Sequence, residues 1–392
     1  MTIRAARRVT QIPSSAIHEM TRLSQQFEDV AFLSWAKPTS SAPIHIRERA
    51  AAAVAQGLTD GYSTNTGLPE LRQEIVKKLA RDNAIDAEVT QVIVTVGAIE
   101  GLTAALLAVV DPGDEVILPT PTYSTHINQV LLASATPVFA PTVEEEGFRL
   151  DVDAIRAAIT PKTKAVLYCS PNNPSGTVFG EDSLRQLAAL ALENDLVVIT
   201  DEAYEYFVFD GARHFSIASL PEMRHHAISC FTFTKSYAMT GWRIGYLHAD
   251  EEWIAQIGKP HIACAICAPV ASQYAALAAL QGPQDCIVEF REHYRSARDR
   301  MCDRLDRLPG VFDYQRPDGA YLMFPRILLE EGRDSKQFCE RLLRDALVST
   351  TPGVDFGSTG EGHLRMSFCV PEETIDLAFD RMERHFSRDP IK

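Results

Sequence analysis

The sequence predicts an α/β protein: a mostly parallel seven-stranded sheet between layers of helices, joined to a smaller α+β domain. Three observations predict it. Between about residues 90 and 250, seven short Val- and Ile-rich runs alternate with helical stretches. Pro, Gly and Asp bound those runs, which is the punctuation of buried strands. After Gly282 the character changes to long charged helical stretches with two short β runs between them.

The elements follow in chain order. The first 45 residues hold an amphipathic stretch, 15–26, and a Pro-broken extended segment. Because they precede the alternating region, they are expected to pack on the smaller domain. Strands are expected at 92–96, 115–118, 137–140, 165–169, 196–200, 228–232 and 244–248. A helix over 100–109 stops at Asp111-Pro112-Gly113, and another covers 181–193. This alternation places helices on both faces of the sheet, and sites in such sheets gather at the carboxyl ends of the strands. Beyond Gly282, helices over 289–308, 335–347 and 372–386 accompany β runs at 320–324 and 363–368. The division expected is an N-terminal segment 1–45, a large domain 46–285 and a small domain 286–392.

Composition narrows the functional classes. Hydrophobic residues make up 46% and charged ones 23%, a globular balance that excludes disorder and collagen-like fibres. Lys+Arg is 38 against Asp+Glu 52, a net charge of −14 with no basic stripe, which argues against nucleic-acid binding. No apolar run approaches the roughly 20 residues that span a bilayer. Arg4, Arg7 and Arg8 are not followed by a signal-peptide core, so no membrane association and a cytoplasmic location are expected. The eight cysteines read as reduced, buried thiols. Cys264-Ala-Ile-Cys267 has zinc-like spacing beside His261, but no second pair exists and the segment is apolar, so no metal is expected. Phosphate-loop, Gly-x-Ser-x-Gly and His-Glu-x-x-His motifs are all absent.

The most informative segment runs from Phe231 to Gly245. Lys235 sits just past a β run, with Thr232 and Thr234 before it and Gly241-Trp242-Arg243-Ile244-Gly245 after it. A lysine at a strand's carboxyl end among apolar groups can have a lowered pKa and form a Schiff base. The hydroxyls and Arg243 make a local anion site, since a guanidinium matches phosphate geometry. A bare Lys-x7-Arg would read as a solvated loop pair; the added threonines and the Gly-Trp-Arg-Ile-Gly run change that reading.

This stretch resembles the lysine signature of the class I/II aminotransferases, fold-type-I enzymes that use pyridoxal 5'-phosphate. The resemblance covers nearly the whole chain in order. It implies that Ser170-Pro171-Asn172-Asn173-Pro174-Ser175-Gly176 is the family's Asn-Pro-x-Gly loop, with Asn173 donating to the cofactor's phenolic oxygen and binding substrate, and with a candidate cis bond at Asn173–Pro174. It implies that Asp201 raises the pKa of the ring nitrogen and that Tyr204 reaches the phenolic oxygen beside Asn173. Gly97-Ala98-Ile99 opens a helix, where backbone N–H groups bind anions; the family places the cofactor phosphate on Ala98 and Ile99. Tyr123 matches the aromatic residue that stacks on the ring. Tyr62 matches a tyrosine that reaches the phosphate across a subunit interface, which implies a homodimer. Arg365 matches the arginine that clamps the substrate's α-carboxylate.

The pattern departs from the family at two places. Ala36 and Lys37 stand where the family commonly has Gly-Glu, in the segment that lines the substrate mouth. Ile99 stands where some dicarboxylate-preferring relatives carry a lysine. The activity implied is transfer of an amino group between an L-amino acid and a 2-oxo acid by a ping-pong route. A lyase or synthase that uses the same cofactor for β- or γ-elimination is the alternative, because such enzymes keep the same constellation. A non-catalytic regulator on this fold would join it to a DNA-binding module, for which the residues before Lys37 leave no room.

Overall fold

The computed structural model of the chain describes residues 4–388; residues 1–3 and 389–392, the outer ends of the expected N-terminal segment and small domain, lie outside the described residues. Seven strands form one sheet: β1 (Val92–Thr95), β2 (Glu115–Thr120), β3 (Thr136–Pro141), β4 (Thr163–Cys169), β5 (Val197–Asp201), β6 (Ala227–Thr232) and β7 (Gly245–Ala249). Their spatial order is β1-β7-β6-β5-β4-β2-β3. β7 runs antiparallel to β1 and β6, and every other pair is parallel. β7 is reversed because its connection from β6 holds only the short turns Phe233–Ser236 and Thr240–Trp242, with no crossover helix to return the chain. β5 and β6 are buried at every residue, as interior strands covered on both faces must be.

Beyond the sheet, Asp285–Leu305, Ser335–Ala346 and Glu372–Arg388 are helices. The first begins and ends earlier than the 289–308 read from the sequence. Pro283 just precedes its start, and Pro309 disfavours helical backbone at Leu308. These helices pack around an antiparallel trio in which Leu364–Ser367 lies between Leu322–Met323 and Thr351–Pro352. The N-terminal segment joins this half: Ala31–Phe32 pairs in parallel with Val348–Ser349, and Met20 and Leu33 share an apolar cluster with Leu343, Met366 and Phe379. Ile46 and Ala50 instead pack with Val94 and Ala276 beside the sheet.

All eight cysteines are free, but not all are buried. Cys264 is exposed because the buried stripe of the Glu251–Ala265 helix, Ile254, Ile257, Gly258 and His261, ends before it; Cys286 is half-buried. The Asn173–Pro174 bond is cis, as are Thr120–Pro121 and Ser170–Pro171. Among the described residues no helix is long and apolar enough to cross a membrane, and no group of three His, Cys, Asp or Glu side chains could hold a metal ion.

Candidate active site

A cavity of about 510 Å³ opens where β4, β5 and β6 end. Every residue that the sequence assigned to the cofactor or substrate lines it except Tyr62, which is 80% exposed and is not part of the lining.

Lys235 reaches the cavity from the turn that follows β6. The Thr232 hydroxyl caps that turn by accepting from the Thr234 backbone N–H at 3.1 Å. Lys235 Nζ donates to the Ala36 carbonyl at 2.9 Å and lies 5.6 Å from the ring centres of both Tyr204 and Tyr321. Burial pulls the amine down to about 8; Cys369 and Asp201 oppose the shift, while Arg365 and Arg243 add to it.

One end of the cavity is built for an anion. Gly97 opens the Gly97–Val109 helix at φ +74°, and a Cβ there would sit 2.5 Å from Arg243 Nη2. Glycine therefore lets the guanidinium lie against the helix's first turn, where backbone N–H groups have no intrahelical partner. Gly245 allows the same closeness from the other side, since its Cβ would come within 2.9 Å of Ala98 N. Arg243 is itself in the left-handed region at φ 52°, held by its Nη1 donating to the Thr240 carbonyl at 3.0 Å. Two threonine hydroxyls, Thr232 and Thr234, line the same cavity.

The middle of the cavity carries a buried carboxylate. Asp201 ends β5, and its Oδ1 accepts from Ala203 N at 3.1 Å. Its Oδ2 lies 3.1 Å from His126 Nε2, whose Nδ1 faces Thr122 Oγ1 at 3.3 Å. His126 is fully buried and meets the Tyr123 ring edge-on at 5.4 Å. Sequence reasoning missed it; its place three residues after Tyr123, one helical turn on, was the available signal. Burial pushes the Tyr204 hydroxyl well above its ordinary value, so it stays a donor.

Arg365, on the Leu364–Ser367 strand, closes the far side at 1% exposure. Its Nη1 donates to Asn173 Oδ1 at 3.1 Å and its Nη2 to the Ser34 carbonyl at 2.8 Å. Its Nε is buried and unpartnered, and among the described residues no carboxylate makes an ion pair with it, Asp355 acting on its charge only without direct contact. Asn173, with its oxygen engaged, keeps its amide nitrogen as a donor. Trp35, in the entry segment 33–38 that the sequence reading placed at the substrate mouth, lines the cavity; so do Ile17 and His18 of the Ala16–Ser24 helix, which that reading did not name.

A phosphorylated pyridine aldehyde asks for four things: an amine to attach to, an anion cradle, a carboxylate for the ring nitrogen and a donor for the phenolic oxygen. Lys235, the Gly97–Arg243 cradle, Asp201 and the Asn173–Tyr204 pair have the chemistry to supply each. At the carboxyl ends of a mostly parallel sheet, that set defines the class of pyridoxal-phosphate-dependent enzymes. The chain belongs to the class I and II aminotransferase family, which matches residues 33–382 and whose members use pyridoxal phosphate. It is 38% identical over 382 residues to aromatic-amino-acid aminotransferase 2 of Thermococcus litoralis, covering 96% of this chain and 97% of that one. It is 39% identical over 382 residues to an aspartate aminotransferase of Pyrococcus abyssi, with the same coverage. The Thermus thermophilus aspartate aminotransferase with maleate is a structural neighbour at TM-score 0.92 and 34% identity, covering 98% of this chain and 100% of that one.

Proposed function

We propose that the protein moves an amino group between an L-amino acid and a 2-oxo acid in a ping-pong cycle, with Lys235 carrying the proton and Arg365 binding the substrate carboxylate. The observation that carries this reading is Arg365, a buried guanidinium with a spare donor and no carboxylate partner among the described residues. Asp355 offsets the charge only without direct contact, so such a guanidinium still calls for an anion at close range, because a buried ion without a paired partner is costly. When bound, pyridoxal phosphate supplies the electron sink that lets the Cα–H bond of an amino acid ionise.

The chain's own residues do the rest. Ala98, Ile99, Thr232, Thr234 and Arg243 would hold the cofactor's phosphate at the helix start. Asp201, oriented by His126, would keep a proton on the ring nitrogen, and Tyr123 would pack against the ring. Asn173 and Tyr204 would donate to the phenolic oxygen. Arg365 and Asn173 grip the carboxylate and so fix which Cα bond stands perpendicular to the ring. With the cofactor bound, the Lys235 amine would take the proton from Cα and return it; burial, which lowers its pKa in the free protein, favours the neutral amine that such a transfer needs. Ala36 lines the substrate mouth. We take 46–285 as the cofactor-binding domain and 286–392, with 1–45 packed on it, as the domain that brings Arg365 to the site.

The test is a panel of amino acids, including aspartate, alanine and the aromatic ones, mixed singly with purified enzyme. Transamination yields pyridoxamine phosphate and the matching oxo acid. Ammonia and pyruvate instead would identify an eliminating lyase.

Lys235 also sets a pH dependence. A lowered pKa makes the neutral, nucleophilic amine available at lower pH. Covalent attachment of pyridoxal phosphate to cofactor-free protein is expected to speed up about tenfold per pH unit below 8 and level off above it. A lysine at the ordinary 10.5 would keep accelerating. Stopped-flow absorbance between about pH 6 and pH 10 separates the two profiles.

We further propose that Tyr62 reaches the phosphate of a second copy's site, so that the working form is a homodimer. Its exposure, with exposed Ile44, Val54 and Leu58 earlier in the same stretch, supports this reading. Tyr62→Phe is expected to weaken cofactor retention by about 1 kcal/mol, one phosphate hydrogen bond. Equilibrium dialysis measures that loss; a sedimenting species that is monomeric and fully active would overturn the shared site.

A further inference from the structure

We propose that Glu144 is a positioning residue for the substrate carboxylate: joined to His363 and Arg326 across the seam between the sheet and the smaller half, it sets where the Arg365 guanidinium lies. The proposal rests on the reading of Arg365 as the carboxylate clamp.

Glu144 begins a short helical turn just after β3, and backbone bonds tie that segment to the sheet and to its own loop: Thr142 N donates to the Thr120 carbonyl at 2.9 Å, and Val143 N to the Arg149 carbonyl at 2.9 Å. Its side chain is only 25% exposed. Glu144 Oε1 lies 2.9 Å from His363 Nε2 and accepts from Arg326 Nε at 2.8 Å; Arg326 Nη2 bonds the other oxygen. Burial pushes the Glu144 carboxyl up, but the hydrogen bonds and charges of His363 and Arg326 outweigh it and hold the group at about 2. The carboxylate therefore stays ionised at any working pH.

What it holds leads to Arg365. His363 is 1% exposed and stacks parallel on Phe324, with ring centres 4.8 Å apart at 5°. Phe324 meets Phe356 edge-on at 5.7 Å, and the Arg365 guanidinium lies 5.0 Å over the Phe356 ring. Phe148, four residues after Glu144, packs against both Phe324 and His363 at 5.9 Å. Glu144 and Phe148 thus grip, from the sheet side, one end of a stack whose other end is the guanidinium. There is also a backbone route: His363 bridges Arg326 and directly precedes the strand that carries Arg365. Two residues apart on extended backbone, 363 and 365 leave the same face, so displacing one imidazole displaces the surface on which the clamp rests.

A merely stabilising ion pair would not distinguish substrates by whether they carry a carboxylate; a positioning role does. Glu144→Gln keeps the shape and removes the charge, and Arg326→Gln removes the outer partner, so either can report if the other folds poorly. The probes are L-phenylalanine and 2-phenylethylamine, each reacted with holoenzyme in single turnover, alongside cofactor affinity and Arg365→Lys. Both seam variants are expected to lower the second-order rate for L-phenylalanine roughly 3- to 30-fold, with the amine rate and cofactor affinity unchanged. The loss should not add to that of Arg365→Lys in the double variant. Equal losses for amino acid and amine, a loss of cofactor affinity, or no change in either rate would each overturn the proposal while leaving the clamp in place if Arg365→Lys still shifts the ratio. If Arg365→Lys leaves the amino acid to amine ratio untouched, the clamp reading fails and this proposal falls with it.

Discussion

Lys235→Ala is expected to lower transamination at least about 10⁴-fold. The residue is asked to do two things at once. It attaches the cofactor, and it moves the proton between Cα and the cofactor. Proton transfer by a positioned side chain alone accounts for about 10²–10⁴, and losing the attachment removes the pre-formed site as well. The fold should survive. The Ala36 carbonyl that accepts from Lys235 also accepts from the Tyr321 hydroxyl at 3.2 Å, so it is not orphaned by the change. The anion cradle is untouched, so pyridoxal phosphate should still bind without being fixed to the protein by borohydride. A small amine such as methylamine, diffusing into the space left by the side chain, should restore part of the rate. A variant that retains more than about one per cent of wild-type turnover, or that borohydride still labels, would show that another group does this work.

Much of this site was readable from the sequence because its parts sit at strand ends. Lys235, Asp201 and Asn173 each follow a buried Val/Ile-rich run, and the turn after such a run can be placed without knowing which strands are neighbours. The reversal of β7 was not readable. Its run has the same buried composition as its parallel neighbours, and its direction depends on the short connection after Thr232. His126 was hidden for a different reason: within a helix it has the spacing of any packing residue, and its partner Asp201 lies 75 residues away. Ile17 and His18 reach the cavity from the Ala16–Ser24 helix, a contact that only tertiary folding creates. The seam from Glu144 to His363 spans 219 residues and carries no motif. A single exposed-looking glutamate in Glu144-Glu145-Glu146 gives no sign in the sequence that one of the three is held by an imidazole and a guanidinium.

Arg365→Ala and Arg243→Ala should fail in opposite ways. Both arginines line one cavity, but at different ends. Arg243 lies against Gly97 and the first turn of a helix, and Arg365 faces Asn173 and the Ser34 carbonyl over the Phe356 ring. Each is read as making charge-assisted contacts in a water-poor site, so losing either should cost roughly 2–4 kcal/mol. For Arg243→Ala the loss falls on the phosphate, so cofactor affinity drops and excess pyridoxal phosphate restores part of the activity. For Arg365→Ala the cofactor and its absorbance stay, and apparent amino-acid affinity falls roughly 30- to 1000-fold at about 1.4 kcal/mol per decade. Asn173 would then lose the partner of its oxygen, so part of the loss belongs to that amide and the figure is a difference measurement. The decisive comparison is an amino acid against the amine that lacks its carboxylate. Wild type should prefer the amino acid by the full factor, and Arg365→Ala should treat the two almost alike. A ratio that Arg365→Ala leaves unchanged would mean that this buried guanidinium answers some other anion, and the smaller half of the molecule would lose its role in holding the substrate.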